Sequence, residues 1–348
     1  MNKDSVFIAE VPSNIALIKY WGKRDAARQW PENDSLSMTL DAARTHTSAQ
    51  FSAHGLDTIK RADTQGIYTT YQSTEDKAMR HLAFLRRELG EELRLNGASA
   101  LEITTHNTFP TGCGIASSAS GLGALTLAAV AAWTDSASLA ELEAHDFPRE
   151  RLAHLARQGS GSAGRSLFGG YVEWQAGPTP DAQRIYPLAV DWPLTDIIAL
   201  VSRHEKAVGS SSGHLIVRSS PLFLPRLAGL PERMRTVKAA LAARDLTLLG
   251  SAIEAEALEM HAVMLSSTPR LNYLLPQTSE LLAWLRQQRV EHGLAAYATI
   301  DAGPNVHIIC APHTAPEVRQ RLSTAFPQLA LLTDCTGTGP LLHRRPQS

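Results

Sequence analysis

At 348 residues, 44% hydrophobic and 19% charged, the chain is long enough for two domains or two joined lobes and has the balance of a globular protein. Lys+Arg 33 against Asp+Glu 34 leave a net charge of -1, so nothing global favours nucleic acid or an anionic membrane, and cations for an acidic ligand must be gathered locally. Cys113, Cys310 and Cys335 are odd in number and far apart, no Cys/His set has zinc spacing, and no apolar run has signal-peptide or membrane-spanning length, which together point to the cytoplasm.

Residues 6–11 alternate as a strand and meet Pro12-Ser13-Asn14, after which apolar residues 15–18 give way abruptly to Lys19-Tyr-Trp-Gly-Lys-Arg-Asp25. Residues 31–37 read as a turn, with strand patterns near 47–52 and 66–71. An amphipathic helix is predicted over 75–89, with Met79, Leu82, Ala83, Leu85 and Leu89 near one face. A strand at 100–106 leads into Phe109-Pro-Thr-Gly-Cys-Gly-Ile-Ala-Ser-Ser-Ala-Ser120, and a long helical pattern follows to Trp133. Short helices at 139–145 and 150–157 come next, then the small-residue loop Gly159-Ser-Gly-Ser-Ala-Gly-Arg165 and a strand at 170–174. Beyond a surface turn at 178–180 and a buried strand at 197–202, the chain is helix-rich from 225 to about 290. Strands at 294–300 and 306–310 flank Asp301-Ala-Gly-Pro-Asn305, and a helix at 316–326 and a strand at 329–333 lead to Thr336-Gly-Thr-Gly-Pro340. The tail from Arg344 to Ser348 is short and polar and reads as frayed. Strands interleaved with helices make an α+β or mixed α/β chain, with a boundary between 176 and 195.

Four segments set small or glycine-containing backbone beside a few charged groups. In the first, Lys19, Lys23 and Arg24 gather beside Tyr20 and Trp21, which suits a diphosphate but equally describes a solvated turn with Trp21 as a core plug. In the second, Gly112 and Gly114 permit close backbone approach, and Ser117 and Ser118 stand at the start of a helix. Unpaired amides and the positive end of the dipole make that start a natural anion cradle. The loop is neither a Walker A nor a Rossmann pattern, and alone it is also a plain strand-to-helix turn. The third offers Ser160, Ser162 and Arg165, a planar fork suited to a carboxylate, against the alternative of a flexible linker. The fourth is Asp301, a turn-capping residue on its own and a general base if set in a cleft near cations. His261, on an apolar helical pattern, reads as a packed or capping residue; His106 and His307, in or near strands, lack the partner spacing of a metal site.

Taken in this order, the segments resemble the diphosphomevalonate decarboxylases of the GHMP kinase superfamily. The resemblance is carried by Asn14-Ile-Ala-Leu-Ile-Lys-Tyr-Trp-Gly-Lys-Arg-Asp25, Asn33-Asp-Ser-Leu-Ser37, the stretch from Phe109 to Ser120, the stretch from Ala156 to Trp174, and Asp301-Ala-Gly-Pro-Asn305. It implies a two-lobed α+β fold, with a ribosomal-S5-like N-terminal lobe (1–186) and a ferredoxin-like C-terminal lobe (187–348) around a cleft. It also implies a homodimer and a reaction on (R)-5-diphosphomevalonate that uses ATP and Mg²⁺. Asp301 then matches the residue that takes or orients the proton of the 3-hydroxyl, Lys19 its ionic partner, and Arg165 the group on the departing carboxylate. Tyr20, Lys23, Ser160 and Ser162 match substrate contacts, and Pro110, Gly112, Gly114, Ala116, Ser117 and Ser118 the ATP phosphate loop.

Two positions depart from the family pattern. Lys77 stands where an arginine is usual among the substrate contacts, and a point charge replaces a fork there. His214 follows Gly213 where methionine is common. The alternatives are a decarboxylase of the 5-monophosphate, a superfamily kinase that stops at phosphorylation, and a catalytically inert ATP-binding sensor.

Overall fold

A computed structural model describes residues 5–62, 65–110, 115–202 and 209–346. Gly112, Cys113 and Gly114 of the glycine-rich turn, and Gln347 and Ser348 of the tail, lie outside the described residues. The first half holds β1 (Ser5–Ile18), the hairpin β2 (Lys23–Asp25) and β3 (Trp30–Pro31), β4 (Ser35–Phe51), β5 (Thr58–Ala62), β6 (Tyr68–Tyr71), α1 (Lys77–Leu89), β7 (Leu101–Asn107), α2 (Ser117–Thr134), α3 (Leu139–Ala144), α4 (Arg149–Gly159), β8 (Tyr171–Gln175) and β9 (Arg184–Pro187). The second holds β10 (Thr195–Leu200), α5 (Ser210–Ile216), α6 (Phe223–Ala243), α7 (Leu246–Ser266), α8 (Pro276–His292), β11 (Ala296–Thr299), β12 (Val306–Cys310), α9 (Ala315–Ala325), β13 (Ala330–Cys335) and β14 (Leu341–Pro346). Among the described residues no helix is long and apolar enough to cross a membrane.

The large sheet runs β14-β1-β4-β7-β5-β6, with β8 on the first part of β4 and β9 beside β8. Its two long strands each serve two cores. Phe7, Ala9 and Val11 of β1 pack with α1, α2 and α4, whereas Ile15, Leu17 and Ile18 enter a second core with α6 and α7. The burial pattern follows: β1 alternates near its start and is buried on both faces from Val11 onward. Register shifts around Ser13 and Leu17 interrupt its pairing with β4. The small antiparallel sheet, β11-β12-β10-β13, turns Ile197 and Ala199 onto Leu281, Leu285, Val318 and Leu322 of α8 and α9, and turns Ile198 and Ile309 onto the second core.

Four expectations are corrected. The tail is not frayed: Leu341–Pro346 pairs antiparallel with Ser5 to Glu10, because the exposed side of β1 offers unpaired amides and carbonyls that a polar strand can meet. Only residues 32–34 turn in the stretch 31–37, since Ser35 already opens β4. The loop at 159–165 is ordered, with α4 reaching Gly159 and a 3₁₀ helix over Gly161–Leu167 that packs Gly164 onto Ala153 and Ile185, which rules out a linker. On α1, Ala83 faces solvent while His81 turns inward, its Nε2 2.8 Å from Thr126 Oγ1 on α2 and its ring against Gly159.

Candidate active site

Lys19 sits one residue past β1, at the seam between the two sheets. Its Nζ donates to Asp301 Oδ1 at 2.7 Å and to the Ala16 carbonyl at 2.7 Å. The lysine is 1% exposed and the aspartate side chain 26%, so the carboxylate opens toward solvent and the ammonium does not. A charge buried this deeply is costly unless an anion is paired with it. Asp301 follows β11, and its own carbonyl accepts Gly303 N at 2.7 Å and His261 Nε2 at 3.0 Å.

Arg165 is buried in the 3₁₀ helix. Its Nη1 donates to Ser35 Oγ and its Nη2 to Asn14 Oδ1 at 3.5 Å, while Nε has no hydrogen-bond partner. Asn14 is oriented in turn by donating to Ser166 Oγ at 2.8 Å and to the Ser162 carbonyl at 3.4 Å. Burial lowers the Arg165 pKa to about 10, opposed by Asp301 and Tyr20, so the group stays cationic at neutral pH. Among the described residues no carboxylate pairs with it directly, which leaves its fork available to an anionic ligand.

Tyr20 lies between Trp174 and His214, with ring centroids 4.7 and 4.3 Å away. Its hydroxyl is buried without a partner, and burial pushes its pKa well up, so it remains a neutral donor. Gly161 allows this arrangement, since a Cβ there would stand 2.6 Å from the tyrosine ring. His214 accounts for its own departure from the family pattern: Nδ1 accepts the Gly22 amide at 2.9 Å, and the ring fills the space between Tyr20 and Trp21. Burial, and then Lys23 and Lys77, hold it neutral as an acceptor must be. Lys23 and Lys77 therefore share one neighbourhood. Burial lowers both, and Lys77 falls to about 8 with Lys23 and Arg80 as further causes.

The start of α2 faces the same space. No side chain caps it, and Ala116 adopts a left-handed φ of 42°. That conformation costs a residue with a Cβ about 1 kcal/mol. Ser13 Oγ donates to the Ile115 carbonyl and pins the turn to β1. Ser118 Oγ is 3.3 Å from Ser160 Oγ, which joins the helix start to the segment carrying Arg165. A cavity of about 220 Å³ opens beside it, lined by Thr47, Arg61, Lys77, Thr105, Ser117 and Ser118 among others. Pro110 is the last described residue before the glycines. No group of three or more His, Cys, Asp or Glu among the described residues could hold a metal ion unaided.

The structure thus links Lys19, Asp301, Arg165, Tyr20, Lys23 and Lys77 through a chain of neighbours, and Ser160 to the α2 start, whereas of the six only Lys77 lines the cavity beside α2. Residues 11–185 match the diphosphomevalonate decarboxylase-like N-terminal domain, and residues 196–340 match the mevalonate 5-diphosphate decarboxylase C-terminal domain. The chain belongs to the diphosphomevalonate decarboxylase family.

Similar proteins include the diphosphomevalonate decarboxylase of Ganoderma lucidum, 33% identical with 94% of this chain and 84% of that one covered. The mevalonate diphosphate decarboxylase of Staphylococcus aureus superposes with a TM-score of 0.85 at 32% identity, over 97% of this chain and 98% of the other. A structure of MDDEF in complex with MVAPP, AMPPCP and magnesium gives a TM-score of 0.85 at 31% identity, over 98% and 99%. The family's GHMP-kinase-like fold is the two-lobed α+β architecture described above.

Sequence reasoning missed several residues that hold this site. Asn14 and Ser35, which orient Arg165, lay inside the quoted signatures but carried no charge to draw attention. Glu256 and Arg226, which grip the backbone of Lys19, gave no spacing signal because they lie more than 200 residues away.

Proposed function

We propose that the chain catalyses ATP-dependent decarboxylation of (R)-5-diphosphomevalonate to isopentenyl diphosphate, ADP, phosphate and CO₂. The observation that carries this reading is the Lys19–Asp301 ion pair, a buried ammonium 2.7 Å from a carboxylate whose side chain is 26% exposed. Asp301 takes or orients the proton of the tertiary 3-hydroxyl, a contribution of about 10²–10⁴-fold for a positioned base. Arg165 aligns the carboxylate that leaves. As phosphate and CO₂ depart, positive character at C3 is stabilised by Asp301.

Tyr20, Lys23 and Lys77 receive the diphosphate, with Ser160 and Ser162 beside it. Two lysines and a tyrosine hydroxyl in one neighbourhood favour the diphosphate over the 5-monophosphate. The uncapped start of α2, with Ser117 and Ser118, fits the phosphates of ATP, and the adjoining, mostly apolar cavity with a few hydroxyls on its wall suits its base. Mg²⁺ neutralises phosphate charge when bound, and the lack of a carboxylate cluster among the described residues fits an ion held mainly by phosphate oxygens. Residues 1–186 then supply the phosphate loop and the cations, and 187–348 the base. A cytoplasmic homodimer completes the proposal, and light scattering tests the dimer.

The deciding experiment incubates the protein with ATP, Mg²⁺ and each mevalonate phosphate while following both ADP and CO₂. Equal release of both from the diphosphate is expected. ADP without CO₂ would select a kinase, and turnover of the monophosphate alone would move the substrate.

A further inference from the structure

Helix α7 touches both members of the ion pair, in each case through the backbone. Glu256 is completely buried, and its Oε1 accepts the Lys19 amide at 3.1 Å. The Lys19 carbonyl accepts Arg226 Nη2 at 3.3 Å and Asn33 Nδ2 at 3.0 Å. Arg226 also donates to Glu256 Oε1, and Arg233 Nη1 donates to Oε2 at 2.8 Å. About one and a half turns further along the same helix, His261 Nε2 lies 3.0 Å from the Asp301 carbonyl. A carbonyl can only accept, so Nε2 carries the proton.

Two physical points separate this arrangement from ordinary packing. Lys19 stands just beyond the last residue of β1, where the strand ladder no longer supplies partners, and side chains from α6 and α7 replace it. A buried carboxylate between two guanidiniums is also a poor way to gain stability, because apolar packing of the same volume is often as good or better. Its value here lies in direction, since one carboxylate fixes a main-chain amide that no apolar side chain could hold.

We propose that α7 is the positioning element of the pair, with Glu256 setting the backbone of Lys19 and His261 that of Asp301. This rests on the reading of Lys19 and Asp301 as catalytic. Neither Glu256 nor His261 reaches the reacting groups; both act through the residues they hold, and one rigid helix keeps the ammonium and the carboxylate in register across the two lobes.

The test compares His261→Leu, which removes the donor, with His261→Gln, which restores an N–H, and adds Glu256→Gln, which keeps an acceptor for the Lys19 amide without the charge. A displacement on the order of an ångström costs up to about 10²-fold, so kcat should fall about 10–100-fold in His261→Leu with KM for both substrates within about threefold, and His261→Gln should recover most of it. Glu256→Gln, which keeps the acceptor for the Lys19 amide, should hold kcat within about threefold, and a loss as large as that of His261→Leu would overturn the role given to Glu256. An unchanged kcat in folded His261→Leu overturns the proposal, as does an equal loss in the Leu and Gln variants. Should Glu256→Gln fail to fold, the His261 comparison decides alone. Asp301→Asn and Lys19→Met separate the two readings. Normal turnover in both removes the catalytic assignment, whereas loss in both with none in His261→Leu removes only the role of α7.

Discussion

Lys19 and Asp301 lie 282 residues apart in the chain and 2.7 Å apart in the fold, with the lysine buried and the aspartate side chain 26% exposed. Replacing Asp301 with Asn keeps the shape and the contact to Lys19 but removes the base. Turnover should drop by about 10²–10⁴-fold, while affinity for an ATP analogue, measured by titration calorimetry, should hold. Near-normal turnover would take Asp301 out of the mechanism.

Arg165→Lys should cost more than a swap of like charges suggests. The guanidinium reaches Ser35 and Asn14 with two nitrogens at once, and lysine offers one compact charge in their place. A loss of about 10–100-fold in kcat/KM is expected from the broken fork, about 1.4–3 kcal/mol. Steady-state kinetics would show it, and an unaffected rate would mean that no bidentate contact to the carboxylate exists.

Gly161→Ala tests the placement of Tyr20. The added methyl would meet the tyrosine ring at 2.6 Å, and Trp174 and His214 on either side leave the ring little room to retreat. Overpacking of this kind costs about 1–3 kcal/mol, visible in the melting temperature. The KM for diphosphomevalonate should rise by roughly tenfold if the hydroxyl is displaced from its contact; a lowered melting temperature with unchanged KM would place Tyr20 outside the substrate site.

Lys77 gives a pH dependence with a defined sign. Its pKa is about 8 in the folded protein, against roughly 10.4 unfolded. Between those values the unfolded chain carries the additional proton, so this group makes stability rise with pH. At pH 7 the buried charge costs about 2–3 kcal/mol, and Lys77→Met should raise the neutral-pH stability of the ligand-free protein and flatten its rise toward pH 10. Binding runs the other way. The wild type should lose diphosphate affinity above pH 8, and Lys77→Arg should keep it; superimposable KM–pH curves would separate Lys77 from the diphosphate.

His214 and His81 act at the acid end. Burial holds His81 near 3 and His214 well below the usual range, so both are neutral in the fold. Below about 6.5 the unfolded chain gains protons that the folded state refuses, and stability falls with pH by up to about 1.4 kcal/mol per unit for each group. Urea melts of His214→Met between pH 4.5 and 7 should show a slope shallower by close to one proton. An identical slope would mean that His214 takes up its proton in the folded protein.

Much of the site was legible because its parts are local. Lys19, Tyr20 and Lys23 share one turn, and the strand expected at 306–310 matches Val306–Cys310 residue for residue, its apolar run being flanked by turn signals. What escaped depends on distance or on edges. Glu256 and His261 sit on a helix buried on several sides, where a charged or ring side chain gives no periodic signal and its partner is a backbone atom far along the chain. The strand Leu341–Pro346 carries a histidine and two arginines, the kind of residues that guard sheet edges, so its composition reads as solvent-facing tail.

That strand bears on how the protein is made. The outer edge of β1 finds its neighbour only in residues 341–346, so a nascent N-terminal lobe leaves the ribosome with one flank unsealed. Until those codons are translated, the flank is a template for pairing with other chains, and sealing it closes a loop that reaches from β1 to β14. Protection of this edge during synthesis therefore waits for residues 341–346, the strand beside the one that leads to Lys19.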